Sequence, residues 1–479
     1  MNRFFKTAGI LLLTVALFLW LQAGISCAAA KDHMGKPRAF ADLAKFPDMS
    51  DFDPNHPVIP HGDTIKIAIV AAFSGPAAIN GQIDFISMQW VAHAINKQGG
   101  IMVDGKKKLI EVIKADNMSN PDATKKVCER MVLKEKVHVL MGTHGSHLMK
   151  IINQTAQKYN VLAVAFAANS DELQDAANFG RNSFMSTMSV SQIGRGMAYY
   201  YGQIRKKETK FYILCQDYSF GRSMAQSFKA GLKEYFPGAQ VVGEDYHKLF
   251  MTDYAPFLTK VKASGAEVIF TGDWLPDAGI LLKQARQMGV NLPFANVYVD
   301  DPITLGELGV EKTEGLINIT QYGRDNPSFK NKDEIRFAKM WNTLWKTKWK
   351  APYNSLMYEW MGGSIGHYAE QVWWLLTVIE RAGSTDPEKV IKVWEGDVYR
   401  FSTGKVVKMR ACDHKIIQDF HVYEYVRPEK QKVSMNIPPY YWSNNHSSLG
   451  PVHVIPAEKV LPWMDPKLDR CKGKNAWGD

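Results

Sequence analysis

The sequence lacks the short motifs that identify many nucleotide-using and metal-dependent proteins. Neither the dinucleotide fingerprint G-x-G-x-x-G nor the phosphate-binding loop G-x-x-x-x-G-K-S/T occurs in its 479 residues. The zinc-protease pair H-E-x-x-H is also missing. These absences argue against a nucleotide-dependent dehydrogenase, a P-loop NTPase and a zinc protease.

Long apolar runs are scarce, and the clearest one lies at the N-terminus. ILLLTVALFLWLQAGI (10–25) follows Arg3 and Lys6 and precedes Ala28–Ala30, which is the order of a secretory signal peptide. We therefore expect cleavage after the last of these alanines and an exported protein. A membrane anchor and lipidation of Cys27 are the alternatives, and the small residues after the run favour cleavage.

Cysteine is rare as well, with five in the chain. The four beyond the expected signal peptide show no zinc-module spacing. Cys128 and Cys215 lie in apolar patterns and are predicted to be buried. Cys412 and Cys471 lie in loop-like sequence, and in an oxidising compartment they either form a disulfide or remain free thiols.

The formal net charge is +10, but lysine and arginine are spread along the chain and form no block. Without a basic arm or a nucleic-acid motif, this charge does not indicate a nucleic-acid partner. The hydrophobic fraction of 46% and the charged fraction of 22% are typical of folded soluble proteins. The length predicts two or three compact units.

Two series of apolar runs alternate with helix-period segments, the first starting at Thr64 and the second near Lys210. Most runs are apolar on both faces, which is typical of strands in a parallel sheet. The predicted fold class is therefore α/β, with two Rossmann-like lobes and a ligand cleft between them. The predicted strands are 65–71, 109–115, 137–141, 161–167, 210–215, 239–246, 266–272 and 292–299.

Ligands of such sheets bind at the carboxyl ends of the strands, so the loops there form the candidate site. A return of the chain near Tyr358–Tyr368 is expected to add to them. The loop Gly142–His147 (GTHGSH) allows three interpretations. A metal site lacks enough ligands at suitable spacing, and a Ser146–His147 nucleophile pair lacks an acidic partner. An anion contact fits best, because Ser146 is predicted at a helix N-terminus, although the serine could simply cap that helix.

Other strand ends supply further candidates. Asn169 follows the fourth run of the first series and offers an amide. Tyr218 and Trp274 follow runs of the second series, where an aromatic ring either holds a ligand or packs in the core. Asp300 or Asp301 could pair with a ligand ammonium, although an Asp-Pro step is also a common helix start.

Several runs between residues 64 and 428 resemble one known family. This is the branched-chain amino-acid (Leu/Ile/Val-type) solute-binding family of ABC transporters, whose members are type I periplasmic binding proteins. The resemblance rests on the order and spread of the runs more than on any single motif. The runs are KIAIVAAFSGPAAINGQ, NPDATKKVCERMVLKEKVHVLMG, QDYSFGRSMAQSFKAGL, AEVIFTGDWLPDAGILLKQARQMG, HYAEQVWWLLTVIERAGSTDPEKVIKVWEG and RACDHKIIQDFHVYEY.

The resemblance implies two lobes that are joined by a three-segment hinge and close on a ligand. The implied ligand-binding residues are His144, Gly145, Ser146, His147, Ala168 and Asn169 in the first lobe, and Tyr218, Trp274 and Asp300 in the second. The implied divisions are a signal peptide at 1–30, an irregular lead-in at 31–63, a first lobe at 64–188 plus 325–398, a second lobe at 189–324 plus 399–430, and an aromatic- and proline-rich tail at 431–479.

The implied function is the exported substrate-binding component of an ABC importer, a monomer with no enzymatic activity and no cofactor. Its partners would be a small-molecule ligand and the permease and ATPase subunits of the transporter. His144 and His147 stand where the family usually has serines, so a larger or more polar solute than leucine is equally compatible. A ligand sensor for a signalling receptor and an exported hydrolase that uses Ser146 are the alternatives.

Overall fold

The structure is a computed structural model that describes residues 33–38, 46–321, 332–361, 367–401, 404–430 and 448–479. The expected signal peptide lies outside these residues. The chain divides into two compact units, Met1–Lys36 and Pro37–Asp479, and every element described below belongs to the second. Among the described helices, none combines the length and the apolar character that crossing a membrane requires.

Strands and helices alternate through most of the described chain. The strands are β1 (Ile65–Ala71), β2 (Ile101–Val103), β3 (Lys106–Lys108), β4 (Ile110–Asp116), β5 (Val139–Gly142), β6 (Leu162–Ala165), β7 (Ser183–Met185), β8 (Lys210–Gln216), β9 (Gln240–His247), β10 (Val268–Phe270), β11 (Phe294–Asn296), β12 (Ile317–Thr320), β13 (Val398–Arg400), β14 (Val406–Met409), β15 (Ile416–Gln418), β16 (Phe420–Val426), β17 (Ser448–Leu449) and β18 (His453–Ile455). The helices are α1 (Ala78–Asn96), α2 (Pro121–Leu133), α3 (Ser146–Tyr159), α4 (Val190–Tyr199), α5 (Ser219–Tyr235), α6 (Ala255–Ala263), α7 (Asp277–Gln287), α8 (Pro302–Leu308), α9 (Val310–Thr313), α10 (Lys332–Thr347), α11 (Leu356–Met361), α12 (His367–Ala382) and α13 (Pro387–Trp394).

The first lobe is built on a five-stranded parallel sheet in the order β4-β1-β5-β6-β7. Strand β1 lies between β4 and β5 and is buried along almost its whole length, which explains its continuous apolar sequence IKIAIVA. Helices α1 and α12 cover one face, and their Trp90 and Trp374 lie in the same hydrophobic core as Ile67. Helices α2 and α3 cover the other face through Cys128 and Ile152.

The second lobe is built on the sheet β17-β16-β12-β11-β10-β8-β9, with β18 added beside β16. Strands β8 to β12 run parallel, and β16 joins antiparallel to β12. Aromatic residues dominate one face of this sheet, where Phe228 stacks on Phe270 with ring centroids 3.9 Å apart. The predicted α/β class with parallel sheets is confirmed.

One predicted boundary differs from the structure. We expected residues after 398 to return to the second lobe, but β13, β14 and β15 form a small sheet against the first lobe. Tyr399, Val407 and Ile416 are buried in the first lobe's core. The chain enters the second lobe only at β16, because the apolar faces of these short strands complete the core around Trp374.

The lead-in is more integrated than its irregular sequence suggested. Phe46, Met49 and Phe52 are buried in the first lobe's core. The Phe52 ring meets Trp90 edge to face, with centroids 5.1 Å apart. The part of the lead-in from residue 46 therefore forms part of this core. A loop sequence without periodicity gives no sign of such packing.

Candidate functional site

A cavity lies between the two lobes at the carboxyl ends of their strands. It measures about 510 Å³, including the space at its mouth that is open to solvent. Such a position is where α/β sheets and two-lobed proteins bind small molecules. Its lining consists of Asn80, His144, Ala167 and Tyr368 from the first lobe and Tyr218, Phe220, Trp274, Leu275, Tyr298 and Asp300 from the second.

The second lobe contributes an aromatic wall. Tyr218 lies just beyond β8, where α5 begins, and Trp274 lies in the loop between β10 and α7. The Trp274 indole Nε1 donates to the Tyr218 hydroxyl at 2.8 Å. This bond fixes both rings at the cavity surface, so the structure brings together the two aromatic residues that the sequence singled out.

Buried polar groups hold the Trp274 loop at both ends. Before it, the Asp273 carboxylate lies 2.7 Å from His247 Nε2, and both side chains are fully buried. After it, the Asp277 carboxylate accepts from the Gln216 side chain at 2.8 Å. Burial lowers the pKa of His247, but the charge and hydrogen bond of Asp273, together with the Lys248 carbonyl and the Asp277 charge, raise it above its usual value.

The two candidate acids have different places. Asp300 lines the cavity, whereas Asp301 caps helix α8 by accepting from the Thr304 backbone N–H at 2.8 Å. Burial, reinforced by the neighbouring Asp301 charge, raises the pKa of Asp300 well above its usual range. A cationic group of a ligand in the cavity would favour the ionised form of the Asp300 carboxyl, and the resulting negative charge would in turn attract that group.

His144 forms the centre of the first lobe's contribution. Its ring is nearly parallel to that of Trp274, with centroids 5.9 Å apart, so it faces the second lobe's wall. Its Nε2 lies 3.4 Å from the Tyr368 hydroxyl, and its Nδ1 lies 3.5 Å from the Asp84 carboxyl. Burial lowers the pKa of His144 to about 4. The imidazole is therefore neutral at physiological pH and acts as a hydrogen-bonding group.

Asp84 is the acid that sequence analysis missed. It lies in the middle of α1 and is fully buried, and burial raises its pKa well above the usual range, with the Tyr368 hydroxyl only partly opposing this. A neutral carboxyl can donate to one neighbour and accept from another. An acid among the apolar residues of a helix was the available signal, because burying a carboxyl without a local partner is costly.

Other residues of the GTHGSH loop line a second chamber. Gly145 and His147 line a space of about 400 Å³ that shares His144 and Trp274 with the first cavity. Ser146 begins α3 as predicted but is fully buried, and its Oγ accepts from the Ser170 backbone N–H at 3.3 Å. It lines neither chamber, so its contact with a ligand anion stays a prediction.

Asn169 and Ala168 follow β6 and are buried beside the cavity without lining it. The Asn169 amide lies 2.5 Å from the Tyr298 hydroxyl of the other lobe. The opposite end of the amide faces the carbonyl oxygens of Ala167 and Met188, so that end is the NH₂ group and the tyrosine donates to the amide oxygen. Asn169 thus links the lobes directly.

Four further lining residues were not singled out from the sequence, although they lie in the loops that follow the strands or at the helix starts just beyond them. They are Asn80, Phe220, Leu275 and Tyr298. Tyr368 belongs to the predicted return of the chain to the cleft. In the described part of the chain, no group of three or more His, Cys, Asp or Glu side chains is placed to hold a metal ion.

Comparison with known proteins agrees with this architecture. The family model described as periplasmic binding protein matches residues 64–432. The chain belongs to the periplasmic binding protein family. Members of this family are solute-binding proteins.

Two curated relatives from the family show how far its sequences have diverged from this one. The Leu/Ile/Val-binding protein homolog 4 of Brucella abortus is 26% identical over 340 residues, which cover 68% of this chain and 72% of that protein. The leucine-, isoleucine-, valine-, threonine- and alanine-binding protein of Pseudomonas aeruginosa is 24% identical over 370 residues, covering 76% and 90%.

Solved structures share the fold at low identity. A leucine-binding protein from Thermotoga maritima superposes with a TM-score of 0.64 and 18% identity, covering 82% of this chain and 99% of that one. A solute-binding protein from R. palustris, solved with 4-hydroxybenzoate, gives 0.66 and 20%, covering 82% and 98%. Both confirm the family's two-lobed α/β fold for this chain.

Proposed function

We propose that this periplasmic binding protein is the exported substrate-binding component of an ABC importer. It would capture a small organic solute by closing its lobes and deliver it, as a monomer, to a membrane permease served by an ATPase. The observation that supports this most is the cavity, because each lobe supplies part of its wall. A ligand there contacts both lobes only when they are together, so binding favours closure.

The residues that line the cavity limit the chemical class of ligand that we propose. Among the residues that line it, none is lysine or arginine, and Asp300 is the single carboxylic acid. The remaining surface is mainly aromatic. We infer a solute with a flat or apolar body that packs between Trp274 and Phe220, and a primary ammonium or amide that hydrogen-bonds Asp300. His144 then offers its imidazole to a carboxylate or hydroxyl of the same solute.

An amino acid fits this description, as do related amides. Relatives named for branched-chain amino acids support the first class. Aromatic acids are a second class for testing, because a fold neighbour was solved with 4-hydroxybenzoate. A dicarboxylate is disfavoured, since its second charge would meet Asp300 without a fixed positive partner.

The domain division that we propose follows the packing. The first lobe comprises residues 64–188 together with the helices and short strands between 332 and 418. The second comprises residues 189–321 together with β16 to β18. The chain therefore crosses between the lobes after β7, after β12 and after β15.

A ligand screen tests the proposal. The mature protein is unfolded and refolded to remove bound solute, and its melting temperature is measured with amino acids, amides and aromatic acids. A ligand that binds only the folded state raises the midpoint in proportion to the logarithm of its concentration. A shift that Trp274→Ala and Asp300→Asn both abolish supports the site. Binding that survives both substitutions would contradict it.

A further inference from the structure

The C-terminal segment contacts both lobes. Its first part belongs to the second lobe, where β18 pairs antiparallel with β16 and Ile455 and Val460 are buried in the core. The Tyr235 hydroxyl donates to the Lys459 carbonyl at 2.6 Å. The Leu461 carbonyl then accepts from Arg195 of α4 at 2.8 Å.

From Pro462 onward, the same segment packs mainly against the first lobe. The fully buried Arg410 guanidinium donates to the carbonyls of Pro462 at 2.9 Å and Ala476 at 2.7 Å. The Asp465 carboxylate accepts from the Ala176 backbone N–H at 2.9 Å. The Cys412–Cys471 disulfide then fixes the segment covalently to the loop that follows β14.

The change of lobe therefore occurs within the three residues Leu461–Trp463, because Trp463 still contacts both lobes. Proline restricts the backbone there, and neighbouring α-carbons are only about 3.8 Å apart, so the crossing has no slack. It also lies against the hinge itself. The Trp463 backbone N–H donates to the Ser191 hydroxyl at 2.9 Å, just after the first crossing, and the Trp463 carbonyl accepts from Lys415 at 2.7 Å.

We propose that residues 453–479 form a strap, a fourth connection between the lobes that limits how far the cleft opens. Rigid-body opening turns one lobe about the hinge segments. A strap that is pinned on both sides must twist at Leu461–Trp463 or detach from one lobe. Its strand pairing and the disulfide oppose detachment, so the strap restricts the open state of the ligand-free protein.

An insertion that gives the strap slack tests this proposal. Gly-Ser-Gly-Ser is inserted between Leu461 and Pro462, which leaves β18 and the disulfide in place. The control carries the same insertion after Gly473, an exposed turn residue within the part of the strap on the first lobe. Spin labels at Lys126→Cys on α2 and Lys262→Cys on α6 report the distance between the lobes in the ligand-free protein.

The slack variant is expected to show a broader distribution with a longer mean distance than the uninserted protein and the control. A Cys412→Ser/Cys471→Ser variant is expected to show a smaller increase in the same inter-lobe distance, because the other contacts of the strap remain. A slack variant that superposes on the uninserted protein would overturn the proposal, as would an equal change in the control. No ligand is needed, so the outcome is separate from that of the transport proposal.

Discussion

The Tyr298 hydroxyl of the second lobe donates to the Asn169 amide oxygen of the first, with 2.5 Å between the two atoms. The other end of the same amide donates to the Met188 carbonyl, which lies in the first hinge segment. One side chain thus joins the cavity wall to the hinge. This geometry gives a direct physical route by which the position of Tyr298 and the closure of the lobes depend on each other.

Tyr298→Phe is expected to shift the ligand-free lobes toward the open state. The substitution removes a single cross-cleft hydrogen bond, worth about 1 kcal/mol, which corresponds to roughly a fivefold change in the open-to-closed ratio. The Lys126–Lys262 spin-label distances measure the populations. Tyr159→Phe is the matched control, because that hydroxyl contacts Glu129 within the first lobe. An equal shift in both variants would contradict the role of Tyr298.

Gln321 joins the three hinge segments. Its Oε1 accepts from the Met188 backbone N–H at 2.8 Å and from the Gln418 side chain at 3.0 Å, and the glutamine itself ends the second segment. Gln321→Ala leaves these buried donors unpaired, at a cost of about 1–3 kcal/mol for each. Urea unfolding should show a total loss of about 2–6 kcal/mol for the two donors, whereas Gln154→Ala on the exposed face of α3 should change little. A hinge variant as stable as its control would refute this assignment.

Asp300→Asn removes the carboxyl that lines the cavity, and Asp301→Asn changes the neighbouring carboxyl that caps α8. Comparing the two variants separates ligand contact from helix capping. For a ligand with an ammonium group, we expect an affinity loss of about ten- to a hundredfold, because a charge-assisted hydrogen bond becomes a neutral one. Asp301→Asn should bind normally, since asparagine also caps helices well. Calorimetry with a compound found in the thermal-shift screen measures both. Equal losses would show that the acid pair acts through folding and not through ligand contact.

How much of this site the sequence predicts depends on distance along the chain. Tyr218, Trp274 and Asp300 were predictable, because parallel strands bring their carboxyl ends to one edge. Asp84 was not, because its neighbours His144 and Tyr368 are 60 and 284 residues away along the chain and meet it only in the folded core. Likewise, the small strands after residue 398 carry no signal for which lobe they join.

Removal of the Cys412–Cys471 disulfide should reduce the free energy of unfolding by about 4 kcal/mol. The two cysteines are 59 residues apart, and a crosslink of that span restricts the unfolded chain by approximately this amount. Guanidinium unfolding of Cys412→Ser/Cys471→Ser, compared with the oxidised protein, measures the difference. Cys128→Ser, a buried free thiol, controls for loss of packing alone. A double variant no less stable than the oxidised protein would contradict the expectation.

Acid is expected to destabilise the protein partly through His421 in β16. Burial, with a smaller effect of Lys405, lowers the pKa of His421 to about 4 in the folded state, whereas an unfolded histidine titrates near 6.5. Between these values the unfolded chain binds more protons, so stability falls as the pH drops from about 6.5 toward 4. At pH 5, this group alone should lower the free energy of unfolding by about 2 kcal/mol relative to pH 8.

His421→Gln should therefore lose less stability than the unsubstituted protein when the pH falls from 8 to 5, by about 2 kcal/mol in urea unfolding. The substitution keeps a polar side chain but removes the proton-binding site, so the difference isolates titration from packing. His56→Gln is the matched control, because that side chain is exposed at the surface beside Asp53, whereas His421 is buried. If both variants follow the acid dependence of the unsubstituted protein, burial of His421 does not set that dependence.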